Sequence, residues 1–185
     1  MPFLSEFNAS PPGTTARTLP AISAGAQDDR RAEGGDAAVS DPIGPLGLRV
    51  GQVATRTKTV ADADLRSYAE ITGDYNPLHF DDAFAARTRF GRRVAQGGIA
   101  AGLLNALVAM DLPGPGTVFM SQSLTFRRPV FVGDTLTARV EVAALKSDKP
   151  VCQLTFQVAN QRGEVVLEAE AWTYTLRPEL EGPPA

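Results

Sequence analysis

The sequence is poor in the two side chains that most often carry chemistry. Its 185 residues include one cysteine, Cys152, and one histidine, His79. A single thiol excludes an internal disulfide and any metal cluster built from several cysteines. Cys152 lies in the alternating stretch VCQLTFQV, which predicts a small packing residue on a strand rather than a nucleophile. The lack of paired cysteines also fits a cytoplasmic protein, which is the location we predict.

Two further absences limit the partners of the chain. Its 18 basic and 21 acidic residues give a formal net charge of −3, which disfavours a non-specific nucleic-acid binder and a polybasic membrane protein. No apolar run reaches the roughly 18 residues that a membrane span needs. The opening MPFLSEFNAS lacks the basic region and apolar stretch of a secretory signal. We therefore expect no nucleic-acid partner and no membrane span.

Proline usage divides the chain into three parts. Of the 14 prolines, six lie before Leu46 and three after Arg177. The first part is small, polar and aperiodic, so it cannot bury enough apolar surface to offset its chain entropy. We predict a disordered or loosely attached extension over residues 1–45, one folded domain over residues 46–177, and a loose tail over residues 178–185.

The central part has a clear order of elements. RVGQVATRTKTV predicts a strand, ADADLRSYAEITG a helix that stops at Gly73, and DDAFAARTRFG a short helix that ends at Gly91. GGIAAGLLNALVAM, residues 97–110, has no charge and is apolar on nearly every side, which predicts a buried helix. Four strand-like runs follow, TVFMSQSLTF, TLTARVEVAAL, VCQLTFQVAN and EVVLEAEAWTYTL. We predict an α+β fold in which about five antiparallel strands wrap around one buried helix, with a helical insertion before it.

The stretch GDYNPLHFDD contains the one histidine. Imidazole suits proton exchange near neutral pH because its unperturbed pKa is about 6.5. Asp74 lies five residues before His79, and Pro77 between them fixes its own φ while Asn76 can anchor the turn by hydrogen bonds to backbone. Such a turn could bring both side chains to one water and add it across a double bond. The spacing alone leaves a plainer alternative, a turn aspartate and an exposed histidine before a helix.

The Asp-x-Asn-Pro-x-His hexad of residues 74–79 resembles the signature of the MaoC-like, (R)-specific enoyl-CoA hydratases. SQSLTFRRPVFVGD, residues 121–134, resembles the second strand and hairpin of that family, and the order of elements resembles its hot-dog fold. The resemblance extends from about Val50 to Leu176. It implies that Asp74 and His79 hold the catalytic water, and it leaves open which of them takes the proton and which donates it.

Glycines at the start of the predicted central helix suit a second task of such an enzyme. Adding water to an α,β-unsaturated thioester pushes negative charge onto the thioester oxygen, which free N–H groups at a helix N-terminus can hold. Gly97 and Gly98 have no side chain to block a carbonyl, and the resemblance implies that the Gly97 N–H binds it. The alternative is that these glycines only permit tight packing. Family members often have histidine before this glycine, whereas this chain has Gln96.

The helix also offers candidates for the acyl-binding surface. Gly98, Gly102 and Asn105 fall on about one face. We predict that they line an acyl tunnel, with Asn105 bonded to Asp74 or to the water. The alternative for Asn105 is an amide bonded to a strand backbone, and related hydratases often have serine at this position.

Basic residues are candidates for binding the phosphates of coenzyme A. RTRFGRR precedes Gly97, and we predict that Arg92 and Arg93 contact the substrate, together with Asn76 from the turn. Other cations are possible contacts, and the alternative for all of them is a solvated loop: Arg87, Arg89, Arg127, Arg128, Lys146 and Lys149.

These observations predict a hydro-lyase that converts trans-2-enoyl-CoA reversibly to (R)-3-hydroxyacyl-CoA without a metal ion or a redox cofactor. The stereochemistry is what the resemblance implies. One such unit leaves a free sheet edge and a half-finished cleft, so we expect at least a homodimer. Three alternatives stay open: a dehydratase acting on acyl carrier protein, a hot-dog thioesterase, and a non-catalytic acyl-thioester binding module. Hot-dog thioesterases often have a carboxylate on or near the central helix. Residues 97–110 contain none, which disfavours the thioesterase.

Overall fold

The computed structural model describes residues 44–177, so the predicted tail at 178–185 and nearly all of the predicted extension lie outside the described residues. Within residues 44–177 the elements are β1 (Val53–Thr59), α1 (Asp62–Thr72), α2 (Pro77–Phe80), α3 (Asp82–Ala86), α4 (Gly97–Met110), β2 (Thr117–Phe126), β3 (Thr135–Leu145), β4 (Val151–Ala159) and β5 (Val165–Thr175). Every strand predicted from alternation is present, and the predicted central helix has the predicted bounds.

The strands form one antiparallel sheet in the order β1-β3-β4-β5-β2. Strands β4 and β5 are joined by a tight turn, in which the Asn160 side-chain oxygen accepts hydrogen bonds from the N–H groups of Arg162 and Glu164. Gly163 takes the positive φ of 74° that this turn requires. Strands β1 and β2 form the two edges of the sheet.

The core lies between α4 and the inner face of the sheet. Strand β3 alternates as predicted, and Leu136, Ala138, Val140 and Val142 are all buried at 1% exposure or less. Helix α4 contributes a stripe with i, i+4 spacing that packs against them: Ala100, Leu103, Leu104, Leu107 and Val108. Burying each leucine of this kind contributes about 1.5–3 kcal/mol, so this layer fixes the helix on the sheet.

Helix α4 differs from the prediction on its opposite face. The sequence predicted burial on all sides, but the sheet of a single chain covers only one side of the helix. Gly102 and Asn105 are exposed, and Met110 is 62% exposed. The uncharged composition of α4 therefore leaves an apolar and small-residue face open in one chain.

The connection from α1 to α4 contains one unpredicted helix and one that ends early. Helix α1 stops at Gly73 as predicted, with φ at 76° and its N–H bonded to the Ala69 carbonyl. Helix α2 is a single turn that starts at Pro77, where a missing N–H has no consequence. Helix α3 ends at Ala86 rather than Gly91 because the Thr88 hydroxyl and N–H both donate to the Ala85 carbonyl.

Among the described residues, none of the helices combines the length and the apolar character that crossing a bilayer requires.

Candidate active site

The turn between α1 and α2 holds Asp74 by backbone and side-chain hydrogen bonds. The Asp74 N–H donates to the Thr72 hydroxyl at 3.2 Å, and Asp74 Oδ1 accepts from the Asn76 N–H at 3.3 Å. Asn76 is the N-cap of α2, and its side-chain oxygen accepts from the Leu78 N–H at 3.0 Å. The anchoring role expected of Asn76 is therefore observed. Its oxygen is committed to this cap, so a substrate contact by Asn76 could come only from the amide nitrogen and stays a prediction.

His79 is buried rather than exposed, at 8% exposure. Its Nδ1 lies 2.7 Å from the backbone carbonyl oxygen of Val94. A carbonyl only accepts, so Nδ1 carries the hydrogen, and in the neutral ring the free lone pair is on Nε2. This bond fixes both the orientation and the tautomer of the imidazole, which excludes the plainer interpretation of His79 as a surface residue.

The two predicted catalytic side chains meet at the Nε2 edge of the ring. His79 Nε2 lies 3.6 Å from Asp74 Oδ2, and the Asp74 side chain is 41% exposed, so solvent reaches the pair. This separation is too long for a direct hydrogen bond, and a neutral imidazole and a carboxylate would present two acceptors to each other. A water between them can donate one hydrogen to each. The geometry therefore suits two acceptors that hold and activate one water.

Helix α4 begins at Gly97 with no side chain capping its first turn. A methyl group at Gly97 would lie 2.9 Å from the ring of Phe126, so the glycine allows this ring to approach the helix terminus. The residue is exposed. An uncapped, accessible first turn provides N–H donors with the partial positive charge of a helix N-terminus.

The second glycine of α4 has a packing role. A methyl group at Gly98 would lie 1.8 Å from the Tyr68 hydroxyl oxygen, so the phenol of α1 occupies the space beside this residue. Gly98 therefore has the packing role of the alternative interpretation, and its contact with substrate stays a prediction.

The other two members of the predicted tunnel face lie on the open side of α4. Gly102 has no atom within 4 Å of an added methyl group and lines a groove of about 510 Å³ between α4 and β1. Asn105 is exposed, and within residues 44–177 it forms no hydrogen bond with Asp74 or with a strand backbone. Within residues 44–177, Asn105 is therefore bonded neither to Asp74 nor to a strand, and its contact with the water stays a prediction, while Gly102 does line a cleft.

A second cavity, of about 280 Å³, begins beside Gly97. Its walls are mostly apolar and include Phe90, Val94, Ala100, Phe126, Val130 and Val166. Three arginines are also among its lining residues, Arg89, Arg127 and Arg128. Arg127 Nε is paired with Glu168 at 2.7 Å, and Arg89 stacks on the Phe90 ring at 5.0 Å. The cavity thus extends from the start of α4 to residues that carry guanidinium groups.

The arginines predicted to contact the substrate lie elsewhere. Arg93 forms ion pairs with Asp62 at 3.0 Å and Asp82 at 2.9 Å, and its side chain is 24% exposed. Its guanidinium clamps α1 to α3, and a phosphate would compete with these two carboxylates, so its contact with substrate stays a prediction. Arg92 stacks 3.8 Å from the centroid of the Phe131 ring and lies outside the lining of the 280 Å³ cavity. Its contact with substrate stays a prediction.

Two residues of the site gave little or no signal in the sequence. Val94 acts through its backbone carbonyl, which no side-chain pattern reveals. The only sequence signal at Gln96 is that family members often have histidine at this position. In the structure Gln96 is 2% exposed, and its side-chain N–H₂ lies 3.2 Å from the Leu65 carbonyl and 3.5 Å from the Asp74 carbonyl.

Cys152 is a packing residue, as predicted. It is fully buried, and burial raises the pKa of its thiol to about 11 although the Thr173 hydroxyl partly opposes this. The reactive thiolate is therefore disfavoured at neutral pH. Residues 44–177 contain no group of three or more histidine, cysteine and acidic side chains placed to hold a metal ion.

Known proteins resemble this chain in sequence and in fold. The family model described as "MaoC like domain" matches residues 49–165. The chain is 44% identical over 124 residues to the (R)-specific enoyl-CoA hydratase of Aeromonas caviae, covering 67% of this chain and 92% of that protein. It is also 44% identical to the 3-hydroxybutyryl-CoA dehydratase of Methylorubrum extorquens, covering 67% of this chain and 78% of that protein. The solved structure of the A. caviae (R)-hydratase superposes with a TM-score of 0.67 at 43% identity, covering 70% of this chain and 98% of that one.

Proposed function

The chain belongs to the MaoC-like domain family and has its hot-dog fold, and we propose that it is an (R)-specific enoyl-CoA hydratase. The reaction is the reversible addition of water to a trans-2-enoyl-CoA, which gives an (R)-3-hydroxyacyl-CoA. The observation that supports it most directly is the convergence of His79 Nε2 and Asp74 Oδ2, 3.6 Å apart, at a solvent-accessible point. The handedness of the product rests on the relatives that carry the same name.

The chemistry follows from the two acceptors. A water held by Asp74 Oδ2 gives a proton to His79 Nε2, the ring nitrogen left unprotonated by the Val94 carbonyl. The water oxygen forms a bond to C3 of the enoyl group, and the π electrons move toward C2 and the thioester oxygen. The C2 carbon then takes a proton from the pair, which returns the site to its starting state. Both product hydrogens come from one water.

The negative charge on the thioester oxygen needs a donor. In the proposed mechanism, the Gly97 N–H at the uncapped start of α4 supplies it. Removing one donor of this kind typically lowers kcat by about 10²–10³. The addition changes no net oxidation state, so the proposed reaction needs no redox cofactor, and coenzyme A enters only as part of the substrate.

The 280 Å³ cavity offers a route for the pantetheine arm away from Gly97. Its apolar walls suit the methylene groups of the arm. Its arginines suit phosphates because guanidinium groups bind phosphate oxygens bidentately. Arg89 and Arg128 are the proposed phosphate contacts, since Arg127 is already paired with Glu168. Arg128 is exposed. The pKa of the Glu164 carboxyl is lowered first by the hydrogen bond from Asn160 and then by that from Arg162, and the charge of Arg128 contributes least.

We also propose that two copies associate. The outer edge of β2 has no strand beside it within residues 44–177, and a second copy could pair there. The open face of α4, with Met110 62% exposed, and the nearby Phe126, 54% exposed, supply apolar surface that a symmetric partner would cover. An acyl chain bound along Gly102 would then be enclosed. The buried, unpaired Cys152 thiol fits a reducing compartment, and we propose the cytoplasm.

The test is a single reaction in which purified protein is mixed with crotonyl-CoA. The enoyl absorbance and the free thiol concentration are followed together. Loss of absorbance without thiol is the expected result and means hydration. Thiol release would indicate a thioesterase, and no change in either signal would indicate a binding module. A parallel reaction with crotonyl-acyl carrier protein, if it ran much faster than the CoA reaction, would favour the carrier-protein dehydratase instead.

A further inference from the structure

We infer that Gln96 is a positioning residue. Its buried amide fixes the position of the Asp74 turn relative to His79 and to the first N–H groups of α4. The inference rests on the proposed function, because it assigns Gln96 a task in placing the groups of that site.

The segment from Val94 to Gly97 contacts every part of the site in turn. The Val94 carbonyl fixes the His79 ring at 2.7 Å, and the Gly97 backbone opens α4. Between them, Gln96 Nε2 donates to the Asp74 carbonyl at 3.5 Å and to the Leu65 carbonyl of α1 at 3.2 Å. Four residues of chain therefore hold the imidazole, the carboxylate-bearing turn and the helix terminus at fixed separations.

The identity of the side chain also fits this task. Gln96 is the N-cap of α4, a position where Ser, Thr, Asp and Asn are preferred because their side chains bond the first N–H groups. Here the amide makes no such bond and turns toward α1 and Asp74. Within residues 44–177, no side chain therefore caps the first turn of α4, while the backbone of Asp74 is held by the Gln96 amide.

The environment of the Gln96 side-chain oxygen indicates that the N–H₂ group is the part of the amide that the site requires. Gln96 Oε1 is buried and has no hydrogen-bond partner among residues 44–177. An apolar side chain of the same length would avoid this unpaired acceptor but would leave the Leu65 and Asp74 carbonyls without their donor. A glutamine at this position is explained if its N–H₂ group is required to tie the Asp74 turn to α4.

Three substitutions separate this task from packing. Gln96→Met keeps the length but removes the donor, and Gln96→Glu keeps the shape but presents oxygens to the two carbonyls. Gln96→His retains an N–H that can donate to a carbonyl. With crotonyl-CoA, we expect Met and Glu to lower kcat roughly 10- to 100-fold with KM changed less than about threefold, since misplacement of a reacting group by about 1 Å costs that much. We expect His to recover most of the lost kcat.

The one histidine of the chain supplies a readout that does not depend on turnover. In untagged protein, the NMR signals of the His79 ring are compared at one pH in wild type, Gln96→Met and Asp74→Asn. If Gln96 holds Asp74 beside Nε2, the ring chemical shifts of Gln96→Met differ from wild type in the same direction as those of Asp74→Asn. This spectrum still decides the matter if wild type fails to hydrate crotonyl-CoA, which would overturn the proposed function alone.

The inference is overturned by any of three results in folded protein. These are a Met or Glu variant with kcat within about threefold of wild type, a KM increase with unchanged kcat, or His79 ring signals in Gln96→Met that coincide with those of wild type. Thermal unfolding of each variant shows that the compared proteins are folded. If Gln96→Met does not fold, the Glu and His pair gives the same comparison.

Discussion

Replacing Gly98 by alanine tests how tightly α1 packs on the start of α4. The new methyl carbon would lie 1.8 Å from the Tyr68 hydroxyl oxygen and 2.3 Å from the ring carbon that bears it. An ordinary contact begins at 3.4 Å, so the phenol must retreat by about 1.6 Å. Overpacking of this kind costs about 1–3 kcal/mol of unfolding free energy. Alanine's better helix propensity offsets this by at most about 1 kcal/mol.

The propensity gain cancels when the same change is made in a Tyr68→Ala background. Urea unfolding of the wild type, the two single variants and the double variant, all at one protein concentration, therefore isolates the clash. We expect Gly98→Ala to be about 1–3 kcal/mol more costly with Tyr68 present than without it. An interaction energy within about 0.5 kcal/mol of zero would refute the reasoning, because it would mean that the phenol does not occupy the space beside Gly98.

Two further predictions concern residues with contrasting roles. Gly97→Ala should lower kcat at least ~100-fold, because a methyl group beside the Gly97 N–H would exclude the thioester oxygen. It should change the urea midpoint little, because the half-exposed Phe126 ring can move aside. A kcat near wild type would contradict the role of the Gly97 N–H as donor. Cys152, whose thiol has its pKa raised to about 11 by burial, should not react with Ellman's reagent in the native protein at pH 8 and should give one thiol per chain in denaturant. Rapid labelling of native protein would contradict its burial.

The sequence predicted the strands and the central helix well because their signals are local. Alternation over the run that became β3 identifies the face that contains Val140, and the uncharged run from Gly97 to Met110 specifies one helix. The Asn76 cap was also readable, since it depends on residues two positions apart.

The remaining features depend on contacts between distant parts of the chain. The use of Gly98 for packing depends on Tyr68, thirty positions earlier, and Arg93 is occupied by Asp62 and Asp82. The exposure of the outer face of α4 could not be predicted because an apolar helix appears the same in sequence whether its own sheet or a second chain covers it.

The central claim is that His79 and Asp74 act as a unit on one water, and a double-variant comparison with crotonyl-CoA tests it most directly. We predict that Asp74→Asn and His79→Ala each lower kcat at least ~100-fold, as expected for general acid–base groups. The double variant should lose little more than the worse single variant, because groups that act together are strongly non-additive. Losses that multiply in the double variant, or a near-normal rate in either single one, would contradict the account.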